Sequence, residues 1–212
     1  MKEVVVIDYG MGNLKSVQRG LEKVGATVNL SSDPDIIANA GRLVLPGVGA
    51  FEDGMKGLEI KGHIGAIHEF VQKGNPFLGI CLGMQMLLDE SEEYGLHRGL
   101  GIIPGSVKAI PVSESGKFLR KIPHIGWNAL KLNVSRADWN NTCLQDIEDG
   151  DFFYFVHSFM AVPNNSDHLV AQCIYEKLLV TAAITMDNVT GVQFHPEKSG
   201  LSGLKLLKRF VS

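Results

Sequence analysis

The chain lacks most features that mark secreted, membrane-bound or nucleic-acid-binding proteins. Cysteine is scarce: Cys81, Cys143 and Cys173 are odd in number, far apart and without a C-x-x-C pair, which argues against a disulfide framework and a zinc site. Long apolar runs are missing too. Val4-Val5-Val6-Ile7 meets Asp8, too short for the apolar part of a signal peptide or for a membrane span, so the expectation is a cytoplasmic protein with no membrane partner. Charge of one sign is not in excess: 20 Lys and Arg against 23 Asp and Glu leave a net −3, too weak a field to hold nucleic acid. Repeats, linkers and low-complexity tracts are absent, so residues 1–212 read as one domain. The sequon-like Asn133 and Asn140 read as surface asparagines, since no secretory signal precedes them.

Glycine is present in excess, 24 residues, and it punctuates short apolar stretches. The run 4–7 resembles a strand buried on both faces and leads into Tyr9-Gly10-Met11-Gly12-Asn13. Leu14, Val17, Leu21 and Val24 then recur at helical spacing, with Asn13 as N-cap and Gly25 at the C′ position. Strands are expected at 27–30, 42–45 and 76–80, with a helix starting at Ser32-Asp33-Pro34 and another on the stripe Ile60, Ile64, Ile67, Val71. This βα alternation predicts an α/β fold with a mostly parallel central sheet. From about residue 104 strands follow without helices between them, at 105–111, 128–134, 152–156, 170–174 and 178–185, adding antiparallel strands in the second half. A closing helix carries Leu201, Leu204, Leu207 and Val211, while 112–149 offers little pattern.

Cys81 lies in Gly79-Ile80-Cys81-Leu82-Gly83, between an expected strand and an expected helix. That is a nucleophile elbow with Cys in place of Ser: the turn crowds positions two before and two after the nucleophile, and glycine removes the side chains that would collide. At this glycine content chance flanks a given cysteine so about one time in a hundred. The Leu82 N–H at the helix start could hold an oxyanion. The alternative, a buried cysteine packed as a small hydrophobe, is the reading taken for Cys143 and Cys173. A thiol nucleophile needs a base, and the base an orienting acceptor. Gly191-Val192-Gln193-Phe194-His195-Pro196-Glu197 offers both, because Pro196 favours an extended His195 and residues two apart then project to one side. His63, His68 and His97 read as solvated residues without metal-ligand spacing. Pro46-Gly47-Val48-Gly49 follows a strand at the same sheet edge, where Val48 could present a second oxyanion donor. Neither glycine loop continues as a dinucleotide or P-loop motif.

Together Pro46–Gly49, Gly79–Gln85 and Gln193–Ser199 resemble the triad, or class-I, glutamine amidotransferases, and the resemblance spans the whole chain. Asp8–Leu14, Pro123–Asn128 and Phe155–Phe159 narrow it to the glutaminases of histidine biosynthesis. The resemblance implies a flavodoxin-like α/β fold and hydrolysis of glutamine through a thioester on Cys81, with His195 as proton shuttle and Glu197 orienting it. It implies oxyanion donors at Leu82 and around Val48 and Gly49, and a glutamine site formed by Gln85, His157, Ser158 and Phe159. It implies no cofactor. Members pass ammonia to a separate (β/α)8-barrel cyclase, and Asn13, His124, Trp127 and Lys198 match positions on the docking face. Trp127 has a second reading as a core aromatic. A paralogue feeding another barrel synthase, for instance one that amidinates a surface sugar, would carry the same motifs; a γ-glutamyl peptidase or a silent assembly subunit would share the fold.

Overall fold

The β-branched run near the N-terminus forms strand β1 (Glu3–Ile7), and its side chains alternate between two cores, Val4 and Val6 in one, Val5 and Ile7 in the other. A strand buried on both faces has no polar side to show, which is why the run has no alternation. In this computed structural model, which describes residues 2–114, 118–133 and 138–212, β1 lies inside a nine-stranded sheet. The first half continues as α1 (Leu14–Lys23), β2 (Thr27–Ser31), α2 (Pro34–Ala38), β3 (Leu43–Gly47), α3 (Phe51–Ile60), α4 (His63–Gln72), β4 (Phe77–Cys81) and α5 (Leu82–Met86). Caps fall where the side chains predict them: the Asn13 side chain accepts from the Ser16 N–H, and Asp33 accepts from the Asp35 N–H with Pro34 opening α2.

The second half contributes β5 (Glu90–Ser91), β6 (His97–Arg98), β7 (Gly105–Ala109), β8 (Ser113–Glu114), β9 (Phe118–Leu119), β10 (His124–Leu132), β11 (Phe152–His157), β12 (Phe159–Pro163), β13 (Leu169–Tyr175), β14 (Leu178–Met186), β15 (Val189–Val192) and α6 (Gly200–Val211). The large sheet runs β11-β10-β13-β14-β15-β4-β3-β1-β2, beside a four-stranded sheet β12-β7-β5-β6 and the pair β8-β9. From β15 to β2 all pairings are parallel, and from β15 to β11 all are antiparallel, so second-half strands extend a parallel core antiparallel, as the sequence predicts. Helices α1 and α6 cover one face, and α2 to α5 the other.

Several expectations change. The stripe from Ile60 to Val71 belongs to two helices, because Gly62 takes a left-handed conformation (φ 71°) that ends α3; Ile60 is exposed, and α4 buries His63, Ala66, Ile67 and Phe70. His63 is a core residue whose Nε2–H donates to the Ser32 carbonyl at 3.0 Å, not a solvated one. In α6 Leu201 is exposed, since Gly203 seats the helix against the Pro196 carbonyl and turns Leu206, Leu207 and Phe210 inward. Asn133 is buried and its amide donates to the Leu169 carbonyl. The weakly patterned middle section adds Trp139, Leu144 and Ile147 to the core, with the Trp139 indole donating to the Val170 carbonyl. Val134, placed in a strand by its sequence, lies outside the described residues.

Candidate active site

Parallel strands end at a common edge, so β3, β4 and β15 bring the segments that follow them together. In register Gly47 pairs with Cys81, and Val192 pairs with Ile80, which places Gln193 beside Cys81 on the other side. Cys81 itself adopts φ 55° and ψ −111°, a conformation that L-residues avoid and that a nucleophile elbow imposes. A Cβ at Gly79 would stand 2.9 Å from the Gly83 backbone, as the crowding argument requires. At Gly83 the obstacle is different: a Cβ there would overlap the Leu45 carbonyl oxygen of the neighbouring strand.

His195 is held by its backbone, its N–H donating to the Tyr154 carbonyl and its C=O accepting from Ser199 Oγ. Its Nδ1–H donates to Glu197 Oε1 at 2.8 Å, both side chains being almost wholly buried. Burial, the largest single influence, pushes His195 downward, but the Cys81 sulfur and the Glu197 carboxylate together outweigh it and hold the imidazolium, raising the pKa to about 9. Nε2 has no full hydrogen bond of its own among the described residues, and neither has Glu197 Oε2. Gly20 of α1 packs on the Glu197 backbone and Cβ, and a side chain there would press on it.

Cys81 and His195 line one cavity of about 300 Å³ together with Val48, Gly49, Leu82, Gln85, His157, Ser158 and Phe159. The loop after β3 is anchored where Tyr9 Oη donates to the Pro46 carbonyl at 2.9 Å. Gln85 Nε2 donates to the Phe159 carbonyl and to Gln193 Oε1, and among the described residues its own Oε1 has no partner. His157 Nδ1 donates to the same carbonyl, and burial keeps the His157 ring neutral, with its pKa down to about 3.

Sequence reasoning missed four participants. Pro123 and Val156 line the cavity as plain surface. Glu93 lines it as well, its carboxylate capping the first amide of α3 at Phe51; nothing local to residues 91–95 signals this. Gln193 stood inside a quoted motif but was given no role, although its amide reaches the Cys81 sulfur.

The residues expected on a docking face separate. Asn13 and Lys198 are exposed, and Trp127 is 55% exposed, edge-on to Tyr154, over whose ring Lys198 sits. His124 is not there. It is 2% exposed, stacked between Phe155 and Tyr175 with its Nδ1 on His157, because β10 alternates and its even positions face inward at this end. Burial lowers its pKa to about 4. Among the described residues no group of three His, Cys, Asp or Glu could hold a metal ion, and no helix is long and apolar enough to cross a membrane.

A cysteine at a strained elbow, with a buried His–Glu pair across a cavity at the C-terminal edge of parallel strands, defines an α/β enzyme built for nucleophilic attack on an acyl group. The chain belongs to the class-I glutamine amidotransferases, whose family profile matches residues 5–212. It is 50% identical over 211 residues to the HisH 1 subunit of imidazole glycerol phosphate synthase from Legionella pneumophila (strain Lens), covering 100% of this chain and 99% of that protein. To the HisH subunit from Syntrophotalea carbinolica it is 47% identical over 209 residues, 98% of each chain. The structure of PurLQS from Thermotoga maritima has the same fold, with a TM-score of 0.67 at 20% identity over 99% of this chain and 97% of that one.

Proposed function

We propose that this chain is a glutaminase subunit that hydrolyses the side-chain amide of glutamine and delivers the ammonia to a (β/α)8-barrel cyclase of histidine biosynthesis, as a cytoplasmic heterodimer. The observation that carries the reading is the union of Cys81 with the His195–Glu197 pair around one cavity. His195 takes the thiol proton of Cys81 as the sulfur attacks the amide carbon of glutamine. The Leu82 N–H and an N–H from Val48 or Gly49 hold the oxyanion that forms. His195 gives its proton to the departing nitrogen, ammonia leaves, and a γ-glutamyl thioester stays on Cys81. Water, deprotonated by His195, then attacks the thioester, and collapse of the second oxyanion releases glutamate and restores the thiolate.

The lining suits an amino-acid substrate. The Glu93 carboxylate and Gln85 Oε1 are acceptors for an α-ammonium, and residues 157–159 line the same cavity. On the partner side, Ile125, Trp127, Tyr154 and Val156 share one face of the β10–β11 pair, and Val156 also lines the cavity. An exposed Trp, an exposed Ile and the adjoining Lys198 and Asn13 form an aromatic and apolar patch of the kind that anchors interfaces, continuous with the catalytic cavity. Ammonia escaping into water would become ammonium and lose its lone pair, so a docked, enclosed exit preserves the nucleophile.

The test is glutamate release from glutamine by the purified chain with and without the barrel cyclase of its organism, in the presence and absence of the cyclase's nucleotide ligand. Strong ligand-dependent activation that Cys81→Ala removes is the expected result. Failure to bind or to activate would overturn the partner assignment, and full activity of the chain alone would overturn the docked-glutaminase reading.

A further inference from the structure

The buried polar groups around the nucleophile form one continuous hydrogen-bonded chain, and two backbone carbonyls fix its direction. A carbonyl only accepts, so Phe159 O requires that Gln85 present its Nε2 and His157 its Nδ1–H, at 3.1 and 2.8 Å. With Nδ1 carrying the proton, His157 Nε2 is an acceptor, and it receives the His124 Nδ1–H at 2.9 Å. His124 Nε2 is then an acceptor too, facing the Asn128 amide, whose nitrogen is independently identified by its donation to the Ile174 carbonyl.

On the other side, Gln85 Nε2 donates its second proton to Gln193 Oε1 at 3.0 Å. Gln193 therefore presents its nitrogen to Cys81, with Nε2 at 3.7 Å from Sγ. Gln193 is completely buried, and both ends of its amide are used in this chain. An amide nitrogen cannot accept, so the sulfur must: the proton of a neutral thiol has to point elsewhere, towards the His195 ring or the Val156 carbonyl, 3.9 Å away.

We propose that Gln193 is a catalytic residue: its side-chain N–H, aimed by Gln85 and the Phe159 carbonyl, donates to the Cys81 sulfur and holds the thiolate in position for attack. The donor favours the charged sulfur over the neutral thiol, because hydrogen bonds to ions are stronger than those to neutral groups. It also ties the nucleophile to Gln85, which lines the same cavity, so occupation of that cavity and orientation of the sulfur share one hydrogen-bonded link. The proposal rests on Cys81 being the nucleophile of the reaction above.

Two substitutions separate this role from packing. Gln193→Met keeps the volume and removes the donor, and kcat for glutamate release by the activated complex should fall roughly ten- to a hundredfold, the range of one hydrogen bond to a charged group, with KM for glutamine little changed. Gln193→Glu keeps the shape and the acceptor for Gln85 but turns an oxygen toward the sulfur, so it should be the worse of the two. A filling role predicts the opposite order. Alkylation of Cys81 by iodoacetamide, which needs the thiolate but neither glutamine nor partner, should slow in the same order. Retention of kcat and alkylation rate by Gln193→Met, or a milder Gln193→Glu, would overturn the proposal.

Should neither variant fold, the wild-type chain decides. The Gln193 side-chain amide resonances should follow the ionisation of Cys81 across a pH titration and cease to do so in Cys81→Ala, whereas resonances indifferent to it refute the bond. Alkylation that responds as expected in a protein releasing no glutamate would keep the Gln193 role and discard the glutaminase assignment instead.

Discussion

Replacing Glu197 by Gln removes a charge from His195 while preserving its geometry, and the consequences can be worked through. At 2.8 Å and an effective dielectric of about 20, imidazolium and carboxylate attract with roughly 6 kcal/mol before desolvation. The net effect is smaller, because both groups are buried: the whole rise from 6.5 to about 9, which Cys81 shares with Glu197, is worth about 3 kcal/mol. Gln still accepts the Nδ1–H at its oxygen, so the ring stays in place, and burial then opposes Cys81 alone. His195 should therefore titrate below its wild-type value in the variant. A folded-state pKa above the unfolded value means stabilisation that is complete below about pH 6.5 and lost as pH rises through about 9. Urea melts of the wild-type chain should accordingly lose about 3 kcal/mol between pH 6.5 and 9.5, and Glu197→Gln should lose far less over that interval. The ring titration itself is read by NMR with ¹⁵N-labelled histidine. A variant ring that still titrates near 9, or wild-type stability flat across this window, refutes the coupling.

Cys81→Ser should abolish glutamate release while unfolding free energy and partner affinity stay nearly unchanged; an equal loss of binding would mark Cys81 as structural. Loss of kcat should be larger in His195→Ala than in Glu197→Gln, because the latter residue only orients the base, and steady-state kinetics would expose the reverse order. Gly83→Ala drives a methyl into the Leu45 carbonyl and should cost about 3 kcal/mol or more in denaturant melts. Trp127→Ala should weaken cyclase binding by about 2 kcal/mol, roughly thirtyfold in Kd by calorimetry, without changing thermal stability appreciably. His124 and His157, lowered by burial to about 4 and about 3, stabilise the fold fully above pH 6.5 and lose that contribution as pH falls towards 4. Melts at pH 6.5, 5 and 4 should show the decline, and His124→Gln should flatten it.

What the sequence makes legible is what local chemistry decides. The first four strands, the caps at Asn13 and Asp33 and the elbow at Cys81 each follow from a few neighbouring residues, so they can be read from the chain one segment at a time. The His195–Glu197 pair is legible for the same reason, both groups lying within three residues. Long-range pairing hides the rest. Nothing near His124 says that it pairs with His157 across an antiparallel ladder and is buried; its motif suggested surface. Glu93 reaches the cavity only because the short β5–β6 excursion folds back over α3. The Phe159 carbonyl, which orders Gln85 and His157, is a backbone atom that no residue type announces.

The parallel half of the sheet supplies Cys81 and the 46–49 loop, the antiparallel half supplies the exposed face around Trp127, and His195 follows β15, where the halves join, pairing parallel with β4 and antiparallel with β14. Side chains alternate along a strand, so a slip of one residue between β15 and β4 would turn Gln193 away from the sulfur and carry His195 out of the cavity with it. The register is held at Gly191, where a Cβ would sit 2.6 Å from the Met84 side chain of the helix that follows the elbow. Only glycine lets β15 lie that close to β4 beneath α5. The geometry of the catalytic cluster thus depends on a residue that touches none of its members, and a methyl group at position 191 should reduce activity by displacing the base from the nucleophile while leaving both intact.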